Sequence, residues 1–541
     1  MNPQNSLMNL TKFQTAIYSL LLIFTVSVFG DVLSWDISTY PEKAREQLEK
    51  AQHAFKEGEF EEALRLYQAV AKGTPKLPIA HIGAGDAAAK LRDYPHAIAA
   101  FQRALQLISE FPQAKRFGFE PTVQAKLATA YHRNKQLDAA DDWFQVAVKG
   151  AGENAPVAWY IALGQIETER GNLEQARRYY IVAVQLYPDT TAAYNNLGHV
   201  LLKLNRIDEA DAVFRAALML DKTLASAAFG RGEVAAKRGE LVVAQHFYEQ
   251  AIQEAPHEPV FHKSLANVLE QLGNTEAANT ARSRHRQTLA EVYRQQAHQF
   301  IAKQHGQPAI ELLQKALETD ETYIPALKDY AYVQMQMDKL TSAKQTYQRV
   351  LKLEPASRQA LLHLGMIAAK LGNRAEAESH FLTLIQHEPD FMDTYSQLAN
   401  LREASGDLRG AENAFTMGIQ HEPVWAPGYW WRGQIRRKLG KSDNAETDFR
   451  HAIKLAPDVP FPKDALASLL ATENRNLAEA LTFAEAAVKK DNRPTHIATL
   501  ALVYYRLKRI PEAEREIQKA FSQSPKHSYI LKVRSEILKM N

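Results

Sequence analysis

The stretch AYNNLGHVLLKLNRIDEADAVFRAALMLD, residues 193–221, decides the fold of this chain. Its apolar residues recur with the period of a helix on both sides of the corner LNR, which predicts two helices joined by a short turn. A single hairpin of this kind exposes an apolar stripe that it cannot cover by itself. Other segments of the chain must therefore cover the stripe, and the sequence supplies copies of the same hairpin.

A small residue marks the first helix of each copy. Gly198 has Gly164 34 residues before it and Gly232 34 residues after it. Further glycines and alanines continue this spacing, with a few shifts, through most of the chain. The fourteen anchor residues are Ala51, Gly85, Ala128, Gly164, Gly198, Gly232, Ala266, Ala297, Ala331, Gly365, Ala399, Gly433, Ala467 and Ala501.

Three further positions recur at fixed distances from the anchor. Alanine follows the anchor by twelve residues in thirteen copies, and a shift of one residue reaches Ala480 in the other copy. Proline closes eight copies. An aromatic residue stands four positions after the alanine in ten copies, at Tyr67, Phe101, Phe144, Tyr180, Phe214, Tyr248, Tyr347, Phe381, Phe415 and Phe449.

Each of these positions has a mechanical reason. Glycine or alanine lets two helix backbones cross closely, and the aromatic ring fills the space between one hairpin and the next. Proline cannot continue a helix interior, so it ends one copy and begins the turn into the next. Unrelated helices in arbitrary order would not place thirteen alanines at one offset and a fourteenth one residue away.

This pattern resembles the tetratricopeptide repeat (TPR), a helix–turn–helix unit of 34 residues, from about Pro41 to Ser524. The resemblance implies an all-α fold: a right-handed superhelical solenoid of about 14 repeats, closed by a C-terminal capping helix. Stacked repeats bury a continuous core through nearest-neighbour contacts alone. The resemblance is specific for the fold and does not identify a partner.

Composition excludes several classes of function. The 541 residues carry a formal net charge of +3, which argues against a nucleic-acid-binding surface. The chain contains no cysteine, so disulfides, thiolate metal sites and thiol catalysis are excluded. The basic run RSRHR at Arg282–Arg286 is interpreted as a solvated helix face.

The N-terminus suggests export. Lys12 precedes fifteen mostly apolar residues, Ala16–Gly30, a length that suits a signal peptide better than a membrane span. Cleavage near Gly30 is favoured, and an uncleaved membrane anchor is the alternative. Either outcome places the rest of the chain in the periplasm, outside the cell or on the outer side of the membrane.

Three irregularities divide the repeats. The extra segment Ile108–Thr122 predicts a longer helix with a projecting loop, and one residue is added at a corner within Ala471–Leu481. No glycine or proline occurs from Thr275 to His305, which predicts one nearly continuous helix between two blocks of repeats. The predicted domains are a signal peptide or anchor at 1–30, a linker at 31–40, repeats 1–7 at 41–280, repeats 8–14 at 281–524, and a capping helix at 525–541.

Enzyme signatures are missing from the sequence. It contains no phosphate-binding loop, no dinucleotide fingerprint, no nucleophile elbow and no zinc-protease motif. His257 and His262 are five residues apart with Pro259 between them, a spacing that does not suit a zinc site on one helix face. We therefore expect a protein that is not an enzyme and carries no cofactor or metal.

The remaining candidate site is the groove that first helices of TPR arrays line. Trp430, in the run YWWRG, is the strongest single candidate because Tyr429 and Trp431 are expected to serve the core. The mixture of basic and aromatic residues suits an extended acidic peptide. The expected groove residues are His199, Lys203, Lys237, Lys263, Asn267, Arg294, His298, Lys328, Tyr332, Lys370, Trp430, Arg437, Tyr505 and Arg506.

The sequence thus predicts a non-catalytic scaffold that binds other proteins or extended peptides, for envelope assembly or secretion. Two alternatives stay open. One is a glycan-binding module that would use exposed groove aromatics such as Trp430. The other is an accessory subunit of a polysaccharide synthase or glycosyltransferase whose active site lies on another chain.

Overall fold

The computed structural model describes residues 42–110 and 119–538. Within these ranges the chain forms 28 α-helices and a short 3-10 turn at Gly152–Asn154, with no strand. The predicted signal peptide or anchor, the linker, and most of the inserted loop lie outside the described residues. None of the described helices is both long and apolar enough to span a membrane.

The helices fall into two compact units, residues 1–285 and 286–541. The helices of unit 1 are α1 (Glu42–Lys56), α2 (Phe60–Gly73), α3 (Pro78–Lys90), α4 (Tyr94–Glu110), α5 (Phe119–Arg133), α6 (Leu137–Ala151), α7 (Val157–Arg170), α8 (Leu173–Leu186), α9 (Thr191–Lys203), α10 (Ile207–Leu220), α11 (Ala225–Lys237), α12 (Leu241–Glu254) and α13 (Pro259–Gln271).

Helix α14 (Thr275–Ala302) contains the division between the units, at His285. The helices of unit 2 are α15 (Gly306–Thr319), α16 (Ile324–Gln336), α17 (Leu340–Leu353), α18 (Arg358–Lys370), α19 (Arg374–His387), α20 (Met392–Ala404), α21 (Leu408–His421), α22 (Ala426–Lys438), α23 (Ser442–Leu455), α24 (Pro460–Thr472), α25 (Leu477–Lys490), α26 (Pro494–Arg506), α27 (Ile510–Gln523) and α28 (Ser528–Leu538).

Consecutive helices pair into hairpins, and within each unit neighbouring hairpins pack on one another. In hairpins 1–6, the first helix contacts its own second helix, which contacts the first helix of the following hairpin. The stretch 193–221 forms α9 and α10, and Asn205 at its corner adopts a φ of 58°, which lets the chain turn sharply. The predicted all-α stack of hairpins is confirmed.

The recurring small and aromatic residues form the core of each hairpin. The thirteen alanines at the shared offset and Ala480 all have 0% exposure, and every aromatic residue of the ten-copy series is at most 3% exposed. Buried clusters extend from one hairpin to the next, as in the cluster that joins Tyr180 of α8 to Phe214 of α10 and Val234 of α11. The stripe left open by a single hairpin is therefore covered by its neighbours.

The predicted continuous helix is confirmed as α14, whose 28 residues span about 42 Å. Its first half carries Ala278, which packs with Ala266 of α13. Its second half carries Ala297, which packs with Ala309 of α15. One helix thus serves as the second helix of hairpin 7 and as the first helix of hairpin 8.

Candidate protein-interaction face

In unit 1, the first helices of neighbouring hairpins approach one another in three places. Helix α1 contacts α3, α7 contacts α9, and α9 contacts α11, whereas the described second helices of hairpins 1–6 make no comparable approach to one another. The surface formed by α1, α3, α5, α7, α9, α11 and α13 is therefore the inner side of unit 1. We call it the first-helix face.

Five cations without an ion pair follow one another along the first-helix face. They occupy the last turns of α1, α3, α5, α9 and α11, each five residues after the anchor, at Lys56, Lys90, Arg133, Lys203 and Lys237. A cation at a helix C-terminus is stabilised by the helix dipole. The helix dipole accounts for a cation at the end of each helix taken by itself. It does not neutralise these cations, so their positive charges remain available to an anionic partner.

Helix α7 interrupts the series. The equivalent position is Glu169, and the last residue of α7, Arg170, pairs with Asp138 and with Glu167. This part of the face therefore offers no free cation of its own.

Acidic residues near the same face already have partners. Asp86 lies 2.5 Å from the Lys126 ammonium. Glu233 accepts a hydrogen bond from the Tyr248 hydroxyl at 2.6 Å and another from Ser264 at 3.1 Å. Asp86 is thus neutralised by an ammonium group, whereas Glu233 keeps its negative charge and is held in place by two hydroxyl groups.

Glu169 is also committed to neighbouring groups. It lies 2.9 Å from His132 Nε2 and 3.3 Å from Lys135 Nζ. Burial raises the pKa of Glu169, but the hydrogen bonds and positive charges of His132 and Lys135 outweigh burial and hold the pKa below its usual value. The carboxylate is therefore ionised and paired at neutral pH.

A cavity of about 230 Å³ opens on this face between α7 and α9. Gln165 and Asn196 line it, and neither side chain has a hydrogen-bond partner within the described protein. The amide groups can each donate to and accept from a peptide backbone. The full lining is Gln165, Thr168, Glu169, Tyr180, Asn196, His199, Val200 and Lys203.

His199 presents a neutral ring to this cavity. Burial lowers the pKa of His199, the charge of Lys203 lowers it further, and Glu233 opposes them. The imidazole packs edge-on against Phe214, with 5.1 Å between ring centroids. His199 therefore contributes hydrogen bonding at neutral pH, while Lys203 contributes the charge.

The other expected groove residues of unit 1 are Lys263 and Asn267, which are exposed on α13. Sequence reasoning missed Lys56, Lys90, Arg133, Gln165 and Asn196. The signal for the three cations was their distance from the anchor, which equals that of Lys203 and Lys237.

A larger cleft of about 730 Å³ lies at hairpin 7 of unit 1, with Ile252, Leu265 and Leu269 among its lining residues. In the corresponding second helix, Arg282 stands where ten other hairpins carry an aromatic residue. Arg282 pairs with Glu270 instead of filling the interior. The missing ring leaves small residues such as Ala281 in that wall.

In unit 2 several expected groove cations already have partners. Arg294 pairs with Glu291 at 2.7 Å and with Asp329 at 3.0 Å. Asp329 also lies 2.6 Å from His298. These ion pairs connect α14 to α16. The charges of Arg294 and His298 are therefore largely balanced within the protein and are not available to a partner.

Three further groove residues of unit 2 lie on α16 and α18. Lys328 pairs with Glu354 at 2.7 Å. Tyr332 faces His363, with 6.1 Å between ring centroids. Lys370 ends α18, is exposed and has no ion pair. Lys370 is thus the unit 2 counterpart of the cations on the first-helix face of unit 1.

The expected orientation of the YWWRG run is wrong at Trp431. The Trp431 side chain is 40% exposed, whereas Trp430 packs against the C-terminal core and against Phe461, with 5.4 Å between rings. Helix α24, the first helix of the next hairpin, approaches α22 closely enough to cover Trp430. Trp431 lies one position further around α22 and is not covered by α24.

The last expected groove residues are constrained by α28. Tyr505 is only 8% exposed. Arg506 donates to the backbone oxygen of Ala471 and pairs with Glu536 of α28 at 2.5 Å. Arg437 is exposed, 3.5 Å from the Ser468 hydroxyl. The capping helix thus engages Arg506, which the sequence assigned to a partner.

Among residues 42–110 and 119–538, no cluster of three or more acidic or histidine side chains is arranged to hold a metal ion. The imidazole of His262, from the pair considered above, lies 2.9 Å from the backbone oxygen of Pro256. That contact gives His262 a structural role at the start of α13.

Family models for the tetratricopeptide repeat match five stretches of the chain. They cover residues 48–115, 191–224, 300–365, 359–390 and 426–459. The matches fall in both units.

Similar curated proteins match over parts of their length. The CTR9 homolog of Arabidopsis thaliana is 26% identical over 27% of this chain and 15% of its own length. Human protein O-mannosyl-transferase TMTC3 is 23% identical over 45% of this chain and 25% of its own. Type IV pilus assembly protein PilF of Pseudomonas aeruginosa is 25% identical over 26% of this chain and 57% of its own. The chain therefore spans less than two thirds of each of these relatives.

Solved structures with a similar helical arrangement include yeast Tom70, with a TM-score of 0.33, 16% identity, and coverage of 77% of this chain and 94% of that one. The Naa15/Naa10 complex bound to HypK-THB gives a TM-score of 0.36 at 15% identity, covering 98% and 96%. Together, the fourteen stacked hairpins, their buried anchor residues and the matching family models identify the chain as a tetratricopeptide repeat protein.

Proposed function

We propose that this protein is an interaction scaffold whose first-helix face in unit 1 binds an extended acidic segment of a partner protein. The observation that carries the proposal is the row Lys56, Lys90, Arg133, Lys203 and Lys237, which lacks ion pairs, while Asp86 and Glu169 nearby are each paired with a basic side chain. A row of like charges attracts and orients a chain of opposite charge.

The cavity between α7 and α9 supports an extended peptide as the form of that segment. Gln165 and Asn196 offer amide groups to its backbone, and Lys203 lies at the same cavity to receive an acidic side chain. A helix or folded domain would keep its backbone groups bonded internally. An extended segment presents both backbone and side chains along a narrow face.

The proposed setting is an assembly process outside the cytoplasm. The apolar run Ala16–Gly30 supports export. The match to PilF, an assembly protein by its name, supports a role in bringing other proteins together.

The direct test is binding of dye-labelled, unstructured twelve-residue peptides to the full chain by fluorescence anisotropy. Acidic, neutral and basic peptides of equal length are compared at low salt. The proposal predicts binding of the acidic peptide only. Changing all five cations to glutamate should weaken that binding at least about tenfold, because five losses of a few tenths of a kcal/mol accumulate.

The matched control changes five exposed cations that lie on second helices or in the turns after them. These residues have no ion pair and give the same change in net charge: Lys72, Lys76, Lys149, Arg178 and Lys222. Equal loss of binding in both variants would mean that net charge, and not the first-helix face, attracts the peptide. Unchanged binding in the five-residue variant of the face would refute the proposal.

A further inference from the structure

A cluster of three buried and two partly buried polar side chains lies beneath the capping helix α28 at the end of unit 2. Helix α24 contributes Asp464 and Ser468, helix α26 contributes His496 and Thr499, and α28 contributes Tyr529. Ser468, His496 and Thr499 are at most 5% exposed. Polar groups in such a place must find hydrogen-bond partners among themselves.

The Tyr529 hydroxyl connects the three helices. It lies 3.1 Å from the Ser468 hydroxyl and 3.1 Å from the Thr499 hydroxyl. Thr499 donates its hydrogen to the backbone oxygen of Thr495 at 3.3 Å. A hydroxyl has one hydrogen to donate, so Thr499 shares its hydrogen between the Thr495 oxygen and the Asp464 carboxylate, and the Ser468 and Tyr529 hydrogens serve the contacts between the hydroxyls.

One carboxylate oxygen of Asp464 has no hydrogen-bond donor in this cluster. Its Oδ1 is buried and accepts no hydrogen bond. A buried carboxylate oxygen without a donor is costly, and the cost disappears when the carboxyl group takes up a proton and becomes neutral.

The groups that face Asp464 come from every element packed around it. Burial raises the pKa of Asp464 to about 6, while His496 and Thr499 of α26, Arg437 of α22 and Arg493 before α26 act in the opposite direction. The His496 Nδ1 is engaged with the backbone oxygen of Asp491 at 3.0 Å. The surrounding positive charges therefore reduce, but do not remove, the cost of the ionised form.

Helix α28 is attached by few other contacts. Its buried residues are Ile530, Val533 and Ile537. Glu536 pairs with Arg506, and the Arg534 guanidinium lies over the Phe521 ring at 4.0 Å. An eleven-residue terminal helix with three buried side chains is the kind of element that opens independently of the rest of a repeat array.

We propose that Asp464 is a proton-sensitive latch for the capping helix, which holds α28 more firmly when Asp464 is protonated than when it is ionised. In mild acid, the protonated carboxyl is neutral and able to donate within the cluster. At neutral pH, the ionised carboxyl favours solvent entry and release of α28. Release would uncover Ser468 and Arg506, which Tyr529 and Glu536 of α28 contact.

The absence of cysteine from the chain allows a direct measurement. Val533→Cys places one thiol at a position that is 1% exposed under α28, and Lys532→Cys places one on its exposed side. The rate of reaction of each full-length variant with dithiodipyridine is measured at pH 5 and pH 7.5. At each pH, the rate for the Val533→Cys variant is divided by the rate for the Lys532→Cys variant. This ratio cancels the chemical effect of pH on the thiol and reports opening of α28.

The latch predicts that this ratio rises about tenfold from pH 5 to pH 7.5, the change expected when opening lowers the carboxyl pKa from about 6 to its ordinary value. Asp464→Asn, combined with each cysteine variant, should abolish the rise because its amide does not titrate. Circular dichroism establishes that the helices are retained.

A pH-independent ratio in the otherwise unchanged protein would overturn the latch. So would a rise that persists in the Asp464→Asn background, because His496 or another group would then be responsible. Tyr529→Phe provides a second check. It should open α28 at both pH values while keeping the dependence on pH, and loss of that dependence would contradict the assignment to Asp464.

Discussion

Gly198 of α9 lies against Phe214 of α10 so closely that a Cβ at Gly198 would stand 2.6 Å from the Cε1 atom of the ring. The same relationship joins Gly164 to Tyr180 at 2.6 Å. Contacts of this length leave no space for a side chain at the anchor unless the ring moves. In hairpins with a glycine anchor, the pairing of a missing side chain with a buried ring therefore sets the distance between the two helices.

Gly198→Ala should accordingly destabilise unit 1 by about 1–3 kcal/mol, the usual cost of overfilling a packed interior. Other hairpins carry alanine at the anchor, so the fold accommodates it where the ring has adjusted. Chemical denaturation of the full chain measures the change. Gly73→Ala is the control, because a Cβ there meets nothing within 4 Å, and an equal loss at Gly73 would contradict the steric explanation.

Two buried tyrosines should respond differently to loss of the hydroxyl group. Tyr395 is fully buried and its hydroxyl has no partner, so Tyr395→Phe should leave stability unchanged or raise it. The Tyr248 hydroxyl donates to Glu233 at 2.6 Å, so Tyr248→Phe should cost about 1–2 kcal/mol. Thermal unfolding of both variants tests the pair, and a larger loss at Tyr395 would be inconsistent with this hydrogen-bond assignment.

Stability should depend on pH through Asp464. Burial raises its pKa from 3.8 to about 6, so its favourable effect is complete below about pH 4 and is lost as pH rises through 6. The loss amounts to at most about 3 kcal/mol at neutral pH. The unfolding midpoint of Asp464→Asn relative to the unchanged chain should therefore be higher at pH 7.5 than at pH 5. A constant difference at the two pH values would exclude this origin.

Binding of an acidic peptide should weaken steeply with salt. The five cations of the first-helix face are at the surface, where charges are screened over about 8 Å at physiological ionic strength. Anisotropy titrations between low and high sodium chloride measure the effect. Binding that is insensitive to salt would indicate an apolar contact, for which the cleft at hairpin 7 is the next site to test.

The fold was predictable because its determinants are local and repeated. Ala210 and Phe214 recur at fixed distances from Gly198, and each must satisfy the same steric demand in every copy. Nearest-neighbour packing turns that single demand into a whole architecture. Even the uninterrupted helix α14 follows from the lack of glycine and proline between Thr275 and His305.

The site was predictable only in part, because pairing between hairpins depends on distances in three dimensions. Arg294 and Lys328 occupy groove positions in the sequence, yet Asp329 and Glu354 neutralise them. Lys263 stands at the same distance before its anchor, is exposed and has no such partner. Nothing in the local pattern distinguishes these cases, since the partner carboxylates belong to other helices.

The end of the array shows the same limit. Arg506 has the spacing of a groove cation, but Glu536 of α28 pairs with it. Trp430 is covered by Phe461, while Trp431 remains exposed. Burial at these positions depends on how the next first helix and the capping helix approach, which the helical period alone does not specify.

Photo-crosslinking from single cysteines tests the central claim most directly. A benzophenone label is attached at Gln165→Cys on the first-helix face, or at Arg178→Cys on the exposed side of α8, and each protein is irradiated with the acidic peptide. Binding on the first-helix face predicts a crosslink from position 165 that excess unlabelled peptide suppresses, and little from position 178. Equal crosslinking from both positions, or more from position 178, would contradict the account.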